Sequence, residues 1–229
     1  MVMYVNKKGI NKSTYKQRCN ILCEIFEKTE SKLGCSSLLC NTTIEHISRQ
    51  ILKNYNPMFI ERNICDQICI NKQRTFAVLS IRLASLMHKS FNEEIIEDIC
   101  LHSQRKCETA GCAGFVTKEL SLQGEYILFE IYSDELENNE ILLKRLPTTL
   151  LLSITNYEYK LHGIVAMKLP AITTRRSNDE IIGHYTAICY RQGTWVEYDD
   201  TAKSTKKLNN QKKFSPHLIM YVKNKIKDI

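Results

Sequence analysis

The chain has 229 residues, with 32 lysines and arginines against 25 aspartates and glutamates, a net charge of +7 and 43% hydrophobic residues. That length and apolar share suit one large domain, or two small ones, with a buried core. No run of about 18 apolar residues occurs, so no membrane-spanning helix is expected.

The opening stretch, "MVMYVNKKGINKSTYKQRCN", turns polar and basic after a few residues and lacks the apolar core of a secretion signal. An intracellular protein, cytoplasmic or nuclear, is therefore expected. Its ten cysteines are read as reduced thiols or metal ligands rather than disulfides. On that reading the glycosylation-type triplets "NKS" at 11 and "NTT" at 41 are chance matches. The basic residues are densest in "KSTKKLNNQKK" (203–213), with no aromatic residue among them. This reads as a solvated loop rather than a nucleic-acid patch.

Residues 1–17 read as a polar lead-in. From Cys19, "CNILCEIFEKTESKL" places Ile21, Leu22, Ile25 and Phe26 on one helical face. Thr42 and Glu45 form a capping-box pattern before "IEHISRQIL", whose Ile44, Ile47 and Ile51 share a stripe. "TFAVLSIRLASL" (75–86) alternates like a strand, and "NEEIIEDIC" (92–100) opens on an asparagine cap as a short helix. Beyond residue 124, "EYILFEIYS", "TTLLLSI", "EYKLHGIVAM", "HYTAICYR", "WVEYDD" and "HLIMYVK" are short β-rich runs. "KLPAITTRRSNDEIIG" between them has no pattern of its own and suits a loop beside a site. Helices followed by an antiparallel sheet define an α+β architecture.

The richest chemistry lies in "GHYTAICYRQGTWVEYDD" (183–200). A two-residue loop at Gln192 and Gly193 makes Arg191 face Thr194. Asp199 then falls opposite Thr186, on the face that carries His184. Such diagonal neighbours sit roughly 7–8 Å apart at Cα, and less at the side-chain tips. A carboxylate in reach of an imidazole fixes its tautomer and stabilises the imidazolium. Gly183 leaves room for a peptide to pass close to the backbone. An ordinary surface histidine and aspartate is the plainer alternative.

Two close cysteine pairs, Cys65 and Cys69 in "CDQIC" and Cys107 and Cys112 in "CETAGC", have the pattern of a structural Zn²⁺ site. The competing reading is buried apolar thiols. Cys100 competes with Cys107 or Cys112 as a ligand. No ligand histidine or open coordination position is evident. Cys189, in mid-strand, reads as a packing residue.

The 183–200 stretch resembles the histidine box of ubiquitin-specific proteases, which runs Gly-His-Tyr, a strand, a turn, then Trp and an aromatic before Asp-Asp. "YKLHGIVAMK" (159–168) resembles the strand that precedes the box, and "PHLIMYV" (216–222) the strand that closes the domain. "EYILFEIYS" fits an earlier strand of the family without its last residues. The resemblance implies a papain-like cysteine protease fold with an antiparallel palm sheet, a zinc-ribbon-like fingers region and a reduced helical thumb. It implies a lead-in over 1–17, one catalytic domain over 18–222 and a tail over 223–229. Within the domain, 18–60 would be the thumb remnant, 61–124 the fingers and 125–222 the palm.

The resemblance further implies a deubiquitinase that hydrolyses the bond after the C-terminal glycine of ubiquitin, with ubiquitin or its conjugates as partner. His184 would be general base and acid, Asp199 its orienting residue, and Asp200 a second acidic residue near the oxyanion. Zn²⁺ on Cys65, Cys69, Cys107 and Cys112 would be structural.

The family's cysteine box, a Gly-Asn-Thr-Cys-Tyr stretch opening a helix, has no match here. Cys19, Cys23, Cys35 and Cys40 are the thiols available to act as nucleophile. A shortened copy, a ubiquitin-binding relative without activity, and a diverged cysteine box each fit that departure. A basic zinc-binding, nucleic-acid-binding protein is the last alternative, and it leaves the hairpin unexplained.

Overall fold

The computed structural model describes residues 12–26, 28–30, 36–38, 44–52, 59–69, 71–88, 104–122, 124–133, 140–152, 157–168, 184–191, 193–199, 202 and 204–224. The chain forms two compact units, residues 1–54 and 55–229.

In the first unit, helix α1 spans Lys12–Ile25 and α2 spans Ile44–Leu52. Helix α1 half-buries Ile21, Leu22 and Ile25, the stripe its periodicity marks. It begins earlier than Cys19, inside the stretch read as a lead-in, because Lys12 to Arg18 contain no glycine or proline to stop a helix. It also ends sooner than the helical pattern suggested. Strand β1, Lys28–Glu30, follows and pairs antiparallel with β2, Ser36–Leu38. Ile47 of α2 is half-buried while Ile51 is half-exposed. The proposed cap at Thr42 lies outside the described residues.

The second unit carries two sheets. The smaller one, in the order β4-β3-β7-β6, is built from β3 (Phe59–Cys65), β4 (Asn71–Phe76), β6 (Arg105–Lys106) and β7 (Phe115–Leu122). All its pairings are antiparallel. Cys65 pairs with Val116 at the end of the β3–β7 ladder, so the turn that leaves β3 and the turn that enters β7 meet. None of these strands was evident from alternation, because "FIERNIC" and "FVTKELSL" mix charges with apolar residues on both faces.

The larger sheet runs β14-β13-β12-β11-β15-β8-β5. Its strands are β5 (Val78–Arg82), β8 (Tyr126–Tyr132), β11 (Glu158–Lys168), β12 (His184–Arg191), β13 (Thr194–Tyr198), β14 (Lys206–Leu208) and β15 (Lys213–Lys223). Short strands β9 (Ile141–Leu142) and β10 (Thr149–Leu151) pair with β15 and β11. The core sits on its central strands, where Ile127, Phe129, Ile188, Ile219 and Tyr221 have no exposed surface. Phe129 meets Tyr221 edge to face at 6.0 Å, and the Tyr221 hydroxyl donates to Pro147 O at 2.9 Å. Burying such rings supplies roughly 1.5–3 kcal/mol each, which makes this face the rigid base of the site.

Two expectations need correction. "TFAVLSIRLASL" is not one strand. Phe76 ends β4 in the small sheet, Val78–Arg82 is β5 in the large one, and helix α3 spans Leu83–His88. The switch comes where burial passes from alternation to the three-residue spacing of Leu83 and Leu86. Nor is the large sheet wholly antiparallel. Strand β5 lies parallel to β8, because the chain between them detours through β6 and β7, a crossover long enough for parallel pairing. The helix expected at "NEEIIEDIC" lies outside the described residues.

Candidate functional site

The β12–β13 hairpin has the register read from its turn. Arg191 pairs with Thr194 and Ala187 with Tyr198. Gly193 holds φ +76°, the left-handed backbone that a tight hairpin turn needs. Side chains alternate along each strand, so His184 and Thr186 share a face with Glu197 and Asp199.

His184 Nε2 lies 2.8 Å from Asp199 Oδ1. The Asp199 side chain is 17% exposed and that of His184 34%, so the pair sits at the edge of the core rather than in open solvent. A third residue joins them. Lys168, the last residue of β11, pairs in register with His184. Its Nζ donates to Asp199 Oδ2 at 2.9 Å and lies 2.9 Å from Oε1 of buried Glu197. Thr186 Oγ1 donates to the same Glu197 oxygen at 3.3 Å. Burial alone would lower the Lys168 ammonium, but Asp199 and Glu197 outweigh it and hold its pKa above the ordinary value.

Lys168 and Glu197 were missed in the sequence. Glu197 had a usable signal, since it precedes Asp199 by one strand repeat. Lys168 had none, because the segment joining β11 to β12 fixes no register. Asp200, Gly183 and Gln192 lie outside the described residues.

On the opposite face of β12, the Tyr185 hydroxyl lies 3.2 Å from His217 Nδ1, and the rings meet at 5.3 Å. Burial lowers the His217 pKa. Cys189 points to that same face, away from His184, and burial pushes its thiol up. It therefore reads as packing. Of the other thiols, Cys19 is exposed and Cys23 half-buried on α1. Cys35, Cys40 and Cys100 lie outside the described residues.

Cys65, Cys69, Cys107 and Cys112 come together at the meeting of the two turns, with all four Sγ atoms within 4.8 Å of one another. Cys69 lies 3.3 Å from both Cys107 and Cys112, and Cys65 lies 3.7 Å from Cys112. Four thiolates around Zn²⁺ at about 2.3 Å stand about 3.8 Å apart, so the group needs little adjustment to hold the ion. Backbone N–H groups of Thr109 and Gly114 point at Cys107 and Cys112 Sγ at 3.5 and 3.3 Å. Hydrogen bonds from the Thr109 side chain and backbone pull the Cys107 thiol down to about 6. In the first turn Ile68 N–H donates to Cys65 O, and Ile68 itself adopts φ 63°. A β-branched residue there is strained, and this one is 88% exposed. In the second turn Gly111 meets the same demand without strain, at φ 79°.

No family model matches the chain, and no curated protein matches its sequence. Solved structures do show likeness. One is the SAGA DUB module of Ubp8, Sgf11, Sus1 and Sgf73 bound to monoubiquitin, with 16% identity and a TM-score of 0.46 over 74% of this chain and 40% of that one. The yeast SAGA DUBm carrying an Sgf73 mutant gives 14%, a TM-score of 0.45, and 80% and 46% coverage. The MERS-CoV papain-like protease with human ubiquitin gives 13%, 0.40, and 73% and 42%. The chain thus spans less than half of each of these three chains. With every TM-score below 0.5, fold and function rest on this chain's own residues. Among the described residues, no helix is long and apolar enough to cross a membrane.

Proposed function

We propose that the chain is a cysteine peptidase of the ubiquitin-specific type, acting on the bond after the C-terminal glycine of ubiquitin. The observation that carries this reading is the 2.8 Å contact between His184 Nε2 and Asp199 Oδ1 on a hairpin resembling the family's histidine box. With Nε2 turned to Asp199, proton transfer runs through Nδ1. His184 takes the thiol proton, the thiolate attacks the glycine carbonyl, and the leaving amine receives the proton from the imidazolium. Water then hydrolyses the acyl-enzyme by the same base. Asp199 orients the ring and stabilises its charge, and the family resemblance gives Asp200 the role of a second acidic residue that helps organise the oxyanion site.

No cysteine is assigned as the nucleophile; Cys19, Cys23, Cys35 and Cys40 are the thiols available for the part. Cys65, Cys69, Cys107 and Cys112 hold a structural Zn²⁺ that staples the two turns of the small sheet. In this reading residues 18–222 are one catalytic domain, with fingers over 61–124 and palm over 125–222. With this reading goes a cytoplasmic or nuclear location, in which the cysteines are reduced thiols or metal ligands.

The test is incubation with ubiquitin bearing an electrophilic C-terminal warhead, with any adduct mapped by mass spectrometry. One adduct on Cys19, Cys23, Cys35 or Cys40, lost in His184→Ala, is the expected result. Folded protein that binds ubiquitin and forms no adduct would make the chain a ubiquitin-binding module instead.

A further inference from the structure

We propose that Lys168 and Glu197 are positioning residues that set the orientation and charge of the His184–Asp199 pair. The inference deepens the catalytic reading above and rests on it for the reaction, though not for the geometry.

A carboxylate at the end of a strand can rotate. Asp199 lies one residue beyond Tyr198, the last paired residue of β13, and rotation about its side-chain bonds would carry Oδ1 away from the imidazole. Lys168 opposes this by holding Oδ2 at 2.9 Å, which leaves Oδ1 aimed at His184 Nε2. The lysine is itself fixed from two sides. It is paired backbone to backbone with His184 across the β11–β12 ladder, and its Nζ is anchored on Glu197. Both partners of the pair are thus referred to one residue, His184 through its backbone and Asp199 through its side chain.

Charge explains why the anchor needs a second acid. Lys168 and Asp199 alone would cancel, and a neutralised aspartate does little to stabilise an imidazolium. Glu197, buried at 5% exposure and fixed also by Thr186, restores one net negative charge beside the ring. The cluster is then anionic with neutral imidazole and neutral with imidazolium, the balance a base needs in order to accept a proton. Lys168 on β11 and Glu197 and Asp199 on the β13 side are linked charged groups on the face that carries the ring. Tyr185 and His217 pair with each other across the opposite face.

The first experiment reads the His184 ring nitrogens by ¹⁵N NMR in unlabelled-by-warhead protein, so it needs no reactive thiol. The native chain is expected to hold a single tautomer, protonated at Nε2. Lys168→Met should mix the tautomers, and Lys168→Arg should restore the native spectrum, since a guanidinium can span the same two carboxylates. The second experiment follows the rate of ubiquitin-warhead labelling. Lys168→Met should slow labelling roughly ten- to a hundredfold at saturating probe with little change in probe affinity. Glu197→Gln should likewise slow labelling, because the Lys168 ammonium loses the carboxylate that anchors it. Trp195 fluorescence checks that each variant is folded; if Lys168→Met is not, Lys168→Gln with the Arg variant carries the comparison. A single unchanged tautomer in folded Lys168→Met or Lys168→Gln overturns the positioning role of Lys168, and labelling of folded Glu197→Gln at the native rate overturns that of Glu197. Tautomer mixing without any warhead adduct would leave the positioning role standing and remove the peptidase reading.

Discussion

Asp66 and Phe115 are joined twice across the two cysteine turns. The Asp66 N–H donates to Phe115 O at 3.0 Å, and the Phe115 N–H donates back to Asp66 Oδ1 at 3.0 Å. Gly114 sits inside this clasp. A Cβ there would run into Asp66 Oδ1, would come within 2.6 Å of Gln67 Cγ, and would reach Cys65 Sγ at 3.0 Å. Gly114→Ala should therefore push apart the two turns and weaken metal uptake at least tenfold, an effect of the size seen when groups supporting a metal site are removed. Gly111→Ala, with open space around its Cβ, should cost only backbone strain and leave uptake intact. Competition with a chromophoric chelator measures both.

Purified chain should carry one Zn²⁺, and Co²⁺ exchanged into it should show the charge-transfer absorption of thiolate ligation. Cys65→Ser should lose it, because Cys65 is buried at the junction of β3 and β7 and no other described thiol stands in its place. Chelation should loosen the small sheet before the large one, since metal binding of this kind is folding free energy. Backbone hydrogen exchange would show protection falling first at Ile64, Cys65 and Val116.

The small sheet has a second staple. Glu61 is buried at 3% exposure and bonds Arg74 Nε at 2.7 Å, Lys118 Nζ at 3.0 Å and Asn63 Nδ2 at 2.9 Å. Burial alone would raise its pKa, but Arg74, Asn63 and Lys118 together bring it down to about 2. A carboxyl depressed in the folded state stabilises fully above its ordinary pKa, and that contribution is lost as pH falls from 4.5 towards about 2. The shift is worth about 3 kcal/mol. Urea titrations of the native chain should show that loss over this window. Glu61→Gln should be less stable by a similar amount at pH 7 and should flatten the acid dependence.

How much of this was legible depends on how far each contact reaches. The hairpin was readable because a two-residue turn fixes register by itself, and the register alone brings Asp199 to His184. The cysteine pairs were readable as local spacings, although only the fold shows their turns meeting at Cys65 and Val116. Lys168 was hidden because its partner strand follows the stretch 169–183, whose sequence carries no turn pattern to set a register, and a β11 residue can face any of several β12 residues until the ladder is known. Strands β3 and β7 were hidden for another reason. Their polar positions, such as Glu61 and Lys118, satisfy each other across the sheet and erase the alternation that marks a strand facing water.

Gly193 tests whether the hairpin turn carries the site or merely decorates it. Its φ of +76° is one that L-residues avoid, while no atom lies within 4 Å of a Cβ placed there. Gly193→Ala thus adds strain without a clash, at about 1–2 kcal/mol. Asparagine tolerates this backbone better, so Gly193→Asn should recover most of the loss. Strand β13 is held on its other edge by β14, with Trp195 against Leu208 and Glu197 against Lys206. The ladder should therefore survive the strained turn, and His184 should keep its partner. The expected outcome is a lower denaturant midpoint in Gly193→Ala with an unchanged slope, alongside a His184 tautomer spectrum like that of the native chain. A mixed tautomer would mean that the turn, rather than the Lys168 anchor, sets the distance between the histidine and its aspartate.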